Sequence, residues 1–435
     1  MAAAQPYAGR LVSLALQPMS TADLFPDHRP AEALPEPSRE AALERVKAFA
    51  ASMGRHYASQ RNFDFGPDNR SNVSGLSPHV RHRLITEREL VIAAVQRHGL
   101  QGAEKFIQEV CWRTYWKGWL EHRPSAWADY RSELNRALGN LDKDGALRTR
   151  YEAAVAGQTG LECFDAWARE LIETGYLHNH ARMWFASIWV YTLGLPWVLG
   201  ADFFLRHLMD GDPASNTLGW RWVCGLQTVG KTYLARASNI RTYTAERFSV
   251  QPGELASDAP PLDPGLEHPA PRPLHPADRP ARDLPSLILL HDEDLHAESW
   301  HVDGLNICAL VGMDSLASRS PLPIGARAQG FTHGALQDGL ARASAHLGVS
   351  AERVEASRLV EVARAHGARQ IVTQRAHTGP LRDQLTQITP QLTASAIALV
   401  ELRRDWDRAF YPHTTKGFFK VKKQIPAILG ELGLS

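Results

Sequence analysis

Long hydrophobic runs are missing from this chain of 435 residues: no stretch approaches the roughly 18 apolar residues of a membrane span, and the Ala-rich start lacks a basic segment followed by a long apolar one. These absences point to a cytoplasmic chain that does not engage a membrane. Cysteine is scarce as well. The four present, Cys111, Cys163, Cys224 and Cys308, form no C-x-x-C pair and show no metal-ligand spacing, which argues against a disulfide framework or a metal centre and suits a reducing compartment. No excess of one charge exists either. With a formal net charge of +1, nucleic-acid binding would have to rest on a local basic patch. What remains is ordinary globular composition, 44% hydrophobic and 22% charged, in a chain longer than one comfortable core.

Alternating β patterns are nearly absent upstream of about residue 250, where "AALERVKAFAASMGRHY" and "RELIETGYLHNHARMWFASIWVYTLG" have the length and apolar recurrence of helices. Downstream, the apolar runs "SLILLHDED", "NICALVGM", "RQIVTQ" and "SAIALVELR" alternate with helical segments such as "GALQDGLARASAHLG". That alternation implies βα units and a parallel sheet. Proline and polar residues crowd the stretch between. The expected order is an N-terminal connector (1–39), an all-helical domain (40–250), a Pro-rich linker (251–283) and a Rossmann-like parallel α/β domain (284–435). The α/β part has no G-x-G-x-x-G turn, so the sequence offers no support for dinucleotide binding there.

"GLQTVGKT", Gly225 to Thr232, fits the phosphate-binding pattern G-x-x-x-x-G-K-[ST], and Asp292 ends an apolar run as a magnesium ligand would. Lys231 and Thr232 would then serve an ATPase. A true loop of this kind follows a buried strand in the same sheet as the Asp. Here it follows "NTLGWRWVC" within a helical region, and Asp292 lies beyond the linker, so ATP hydrolysis stays a remote alternative.

Four stretches in order carry a more specific pattern. "SNVSGLSPHVRHRLIT" offers hydroxyls and a helix start near Pro78; "QEVCWRTYW" puts Glu109 and Trp112 on one helix face; "TGYLHNHARM" carries Asn179, Arg182 and Met183; and "MDGDPASNTLGWRW" spaces Asp210 and Asp212 around a glycine ahead of Asn216, Trp220 and Trp222. Taken singly, each is an ordinary cap, core tryptophan or solvated charge. Together, over roughly residues 40–248, they resemble the FAD-binding domain of the cryptochrome/photolyase family. The family's residues differ at Val73 (Thr there), Leu177 (Met) and His180 (Arg), and "QTVGKTYLARASN" stands where the family has a Thr-Asp-Ala-x-Pro-Tyr loop.

The resemblance implies FAD as cofactor, held by Tyr57, Ser74, Leu76, Ser77, Arg113, Asn179, Arg182, Asp210, Asp212 and Asn216, with Asp210 paired to Arg182 and Asn216 facing flavin N5. It implies a cavity for a damaged base formed by Glu109, Trp112, Asn179, Met183 and Trp222, with Arg236 and Arg241 toward DNA phosphates. Trp220 and Trp197 would be the first two members of an electron-transfer chain whose third member is not evident, with Tyr151, Trp127 or another route as its substitute. The implied activity is light-driven splitting of pyrimidine dimers in UV-damaged DNA by a photolyase-like lyase that acts on a base extruded from the duplex. Asparagine at 216 favours repair over the alternative, a blue-light photoreceptor that signals to a partner. Family members carry an α/β antenna domain first. Here that segment comes last, and its close "RAFYPHTTKGFFKVKKQIP" resembles the end of the antenna domain, which implies a circular permutation. A second, antenna chromophore of unassigned identity and a monomeric state complete the expectations.

Overall fold

The computed structural model describes residues 35–251, 253–263 and 268–434, so the expected connector 1–39 falls almost wholly outside the described residues. Helices start where short polar side chains take up backbone N–H groups that lack an intrahelical acceptor. The Ser38 hydroxyl accepts from Ala41 N–H, Thr86 and Glu89 form a reciprocal capping box, and Asp144 and Asp212 accept from Leu147 and Ser215. In chain order the first part holds α1 (Arg39–Phe49), α2 (Arg55–Gln60), α3 (Ser77–Arg81), α4 (Glu87–Gly102), α5 (Glu104–His122) and α6 (Ser125–Leu141). It continues with α7 (Gly145–Val155), α8 (Glu162–Thr174), α9 (Asn179–Ser187), α10 (Trp197–His207), α11 (Pro213–Val223) and α12 (Ala237–Tyr243). The expected long helix over "RELIETGYLHNHARMWFASIWVYTLG" is broken. Gly175, at φ 66°, ends α8 in a left-handed turn that a side chain would disfavour, and α9 restarts behind His178 before a π-turn at Ile188–Thr192.

The second part is a five-stranded sheet, all parallel, in the order β3-β2-β1-β4-β5. Its strands are β1 (Pro285–His291), β2 (Asn306–Met313), β3 (Ala351–Arg353), β4 (Gln370–Gln374) and β5 (Ala398–Leu402). Helices α13 (Leu316–Arg319), α14 (Ala326–Leu347), α15 (Leu359–Ala365) and α16 (Pro380–Ala394) connect them. Alternate residues of β1 feed two cores. Ile288 and Leu290 pack with Phe331 and Leu336 of α14, while Leu287 and Leu289 pack with Leu359, Leu381 and Leu385 on the other face. Burial on both faces is why these strands read as continuous apolar runs.

The chain then leaves the sheet. Helices α17 (Asp405–Phe410) and α18 (Phe418–Glu431) put Trp406, Phe410, Phe418, Val421 and Ile425 into the large core shared with α1 to α12. Between the two parts, the Pro-rich stretch forms no helix or strand among its described residues; Arg272 N–H donates to His122 O and Asp278 N–H to Glu401 O, so it is tied to both. Buried ion pairs join the halves: Arg81 to Glu293 at 3.3 Å, and Arg83 to Asp407 at 2.7 Å and Asp294 at 3.1 Å.

The ATPase alternative fails on this geometry. Gly225–Thr232 follows a helix rather than a strand, no helix begins until Ala237, Lys231 is exposed, and the Thr232 hydroxyl donates to Ala259 O at 2.7 Å. Asp292 is buried against Arg319 at 3.1 Å.

Candidate functional site

A cavity of about 230 Å³ opens in the helical part, and it collects residues from four distant stretches. Helix α2 brings Tyr57 to its wall; the turn into α3 brings Ser74, Gly75 and Ser77; α5 brings Glu109; α9 brings Asn179 and Arg182; the turn before α11 brings Asp210. Most of these are positions at which helices begin or chains turn, so polar side chains reach the space without breaking an apolar core.

The two carboxylates of the Asp-Gly-Asp turn have different cations. Arg182 Nη2 meets Asp210 Oδ2 at 3.0 Å, the pairing expected from the sequence. Burial alone would raise the Asp210 carboxyl, but Arg182, with Ser77 and Arg113 behind it, overcomes this and keeps the group below its usual range. The other oxygen of Asp210, Oδ1, is buried with no hydrogen-bond partner. Asp212 caps α11 and is clamped by Arg113 at 3.2 Å and Lys117 at 3.3 Å. Burial is again the largest influence, and Lys117, Arg113 and Arg81 together overcome it to hold Asp212 well below the carboxylate range. Arg113 also donates to Ser77 O at 3.1 Å, linking the turn to α3.

Glu109 is shifted the other way. Burial raises its carboxyl, and Arg61, 3.4 Å away, only partly offsets this. Tyr57 packs edge-on against Phe49 and Phe106 while lining the cavity, and burial raises its hydroxyl strongly. Leu76 precedes α3 and is buried in the core.

Other expected residues lie outside the cavity wall. Asn216 is buried and donates its amide N–H to Ala201 O at 2.8 Å. Trp112 is half-buried, with one ring face covered by Phe418 of α18 at a centroid distance of 3.7 Å and an interplanar angle of 15°. Trp222 stacks on Tyr233 at 5.6 Å, Met183 is half-buried on α9, and Arg236 and Arg241 are exposed. Trp220 packs edge-on to Phe204 at 5.2 Å and to Trp189 at 6.2 Å. Trp197 leans on Tyr130 at 5.8 Å, and Tyr130 on Trp127 at 5.2 Å; Tyr151 instead meets Trp189 at 6.1 Å.

Sequence reasoning missed Arg61, Tyr176 and His178 on the cavity wall, and Lys117 beneath it. His178 accepts from His180 N–H and its pKa falls to about 4, chiefly through burial. Only Lys117 left a signal, since it lies four residues after Arg113 and so shares its helix face.

The cavity wall thus brings together a carboxylate paired to a guanidinium, further cations and a buried acceptor, groups that suit a polar ligand. Residues 106–249 match a family model described as the FAD binding domain of DNA photolyase. Deoxyribodipyrimidine photo-lyases are similar over part of the chain: that of Streptomyces griseus at 35% identity, over 41% of this chain and 40% of its own length, and one from Thermus thermophilus at 36%, over 46% of each. The one from Synechococcus is 32% identical, over 51% of this chain and 48% of its own. A bacterial class III photolyase from Agrobacterium tumefaciens and a Synechocystis cryptochrome each superpose with a TM-score of 0.39 at 25% identity, over 48% of this chain and 43% of theirs. The chain thus spans less than half the length of the curated relatives it matches. The resemblance to the cryptochrome/photolyase family is borne out.

Proposed function

We propose that the helical part holds FAD and that the protein is a light-driven, photolyase-like flavoprotein acting on pyrimidine dimers in UV-damaged DNA. The observation that carries this reading is the cavity itself, which gathers residues of all four motif stretches around the Arg182–Asp210 pair. The residues fit the cofactor. Asp210 Oδ1 is a buried acceptor in need of a donor such as a ring N–H or a ribityl hydroxyl, and beside Gly75 a side chain would meet open space. Arg61 and Arg182 are the cations suited to a pyrophosphate. At about 230 Å³ the enclosed space is below the ~300–1,000 Å³ of common ligand sites, so a dinucleotide would extend past it.

The chemistry supplied by bound, reduced FAD is light-driven transfer of one electron to the dimer and its return. The chain's own residues position that event. Asp210, Arg182, Asp212 and Arg113 fix the cofactor side, with Ser74, Ser77, Tyr57, Leu76, Asn179 and Asn216 as further contacts. Glu109, kept protonated to higher pH by burial, can donate to a base carbonyl. Trp112, Met183 and Trp222 border the lesion, Arg236 contacts phosphate, and Trp220 and Trp197 relay electrons.

The α/β part is read as an antenna unit joined by circular permutation. Supporting this is a second cavity of about 740 Å³ beside the carboxyl ends of β4 and β5, bordered by Gln374, Leu402 and Arg404, by His296, and across from them by Glu87 of α4 and Asp278 of the Pro-rich stretch. Open parallel sheets bind ligands outside the carboxyl ends of their strands, and a second chromophore would sit there.

Loading with FAD followed by dialysis tests the cofactor assignment. Retained flavin absorbance in the wild type, cut by about tenfold in affinity in Arg182→Ala through loss of a charge-assisted contact, agrees with it. A colourless chain that resists loading overturns it.

A further inference from the structure

We propose that the outward face of α18 is a DNA-binding surface that continues the lesion site along the duplex; this deepens the photolyase reading and rests on it. Helix α18 is split by burial. Phe418, Val421, Ile425, Ile428 and Leu429 enter the core, whereas Phe419 is 76% exposed, the most exposed large hydrophobic among the described residues. Around Phe419 stand three exposed lysines: Lys416 just ahead of the helix, Lys420 next along it, and Lys423 one turn on and on the same side as the ring. From Thr414 to Gly430 the sequence contains no acidic residue. Among the described residues these three lysines make no ion pair, while Lys422, turned toward α5, pairs with Glu104 at 3.4 Å.

The buried face of α18 packs on the helix that carries Glu109. Phe418, next to Phe419, stacks on Trp112, and Trp112 lies one turn after Glu109, which lines the cavity. Unpaired lysines suit a row of phosphates, and an aromatic ring standing among them suits a base step already weakened by damage. A bilayer is a poorer occupant, because an interfacial helix presents its whole apolar face and that of α18 is already in the core. A protein partner is poorer too, since lysine is depleted at the centres of protein interfaces.

The experiment measures binding of the full chain to a labelled duplex carrying one thymine dimer and to its undamaged counterpart, across a potassium chloride series. The combined change Lys416→Ala, Lys420→Ala and Lys423→Ala is expected to weaken both complexes and to lower the log–log salt slope by about three. Phe419→Ala is expected to weaken the dimer complex by about tenfold and to leave the salt slope and the flavin absorbance unchanged. Wild-type binding matched by both variants overturns this inference and leaves the photolyase reading standing. No wild-type binding to either duplex overturns both. Unchanged DNA binding with lost adhesion to phosphatidylserine vesicles in the lysine variant assigns the face to lipid and overturns it as well.

Discussion

Arg182 and Asp210 show what one buried pair decides. Asp210 is 7% exposed at its side chain and has no cation closer than Arg182, so Arg182→Ala strands a charge. Breaking such a pair costs about 3 kcal/mol, at the lower end of the buried range because Arg182 is partly exposed; urea unfolding at pH 7 measures it, and an unchanged midpoint contradicts it. Glu170 makes a pH-dependent case. Burial first, then Asp64, raises its pKa from 4.5 to about 7 despite Arg70 at 3.0 Å. The folded state therefore holds a proton that the unfolded state has lost between those values, and stability falls as pH rises through that window, by up to about 3 kcal/mol. Glu170→Gln is expected to flatten the fall between pH 5 and 8, measured by thermal unfolding. Of these groups Asp210 and Arg182 were legible from their motif. Arg61 and Tyr176 were not, since nothing local in "ASQRNF" or "TGYLHN" marks a residue that meets others from across the fold.

At the scale of elements, α10 and α11 cross where Gly200 lies against Trp220. A Cβ on Gly200 would collide with the six-membered ring of Trp220, and that indole is itself wedged edge-on against Phe204. Gly200→Ala is expected to cost about 1–3 kcal/mol by overpacking and to shift tryptophan emission; a variant as stable as wild type would show that the helices can part at no cost. Four strands were readable because burial on both faces makes each a run of apolar residues. The fifth, β3, has three residues, Ala351, Glu352 and Arg353, at the edge of the sheet, and its charge and length hid it. The break at Gly175 was hidden for another reason: apolar recurrence continues on both sides of the turn, and only the left-handed glycine betrays it.

Across the whole molecule, contiguity in sequence misleads. Residues 405–434 follow β5 directly, yet their apolar side chains pack with α1 to α12, and no periodicity could show which core they enter. Arg83 ties this arrangement together, meeting Asp407 at 2.7 Å, Asp294 at 3.1 Å and Glu87 at 3.4 Å while 2% exposed at its side chain. Arg83→Met takes one cation from three buried carboxylates, of which Asp294 keeps Arg404 and Asp407 keeps His377 beside it, and is expected to cost about 3 kcal/mol near neutral pH. Burial raises the Asp407 carboxyl most, but Arg83 and His377 together overcome it, so the folded group stays ionised below its unfolded range. Its stabilising contribution is present above about pH 4 and fades as pH falls through the lowered value, so the deficit of the variant should shrink in acid; a deficit independent of pH would contradict the ionic account. The central claim, that this chain binds FAD and uses light to split pyrimidine dimers, is tested most directly by one measurement. The flavin-loaded, reduced protein is mixed with UV-damaged oligothymidine, and thymine absorbance is followed before and during blue illumination. The account predicts recovery of thymine absorbance only in the light. Flavin bands without any recovery would contradict it and turn the reading toward light sensing.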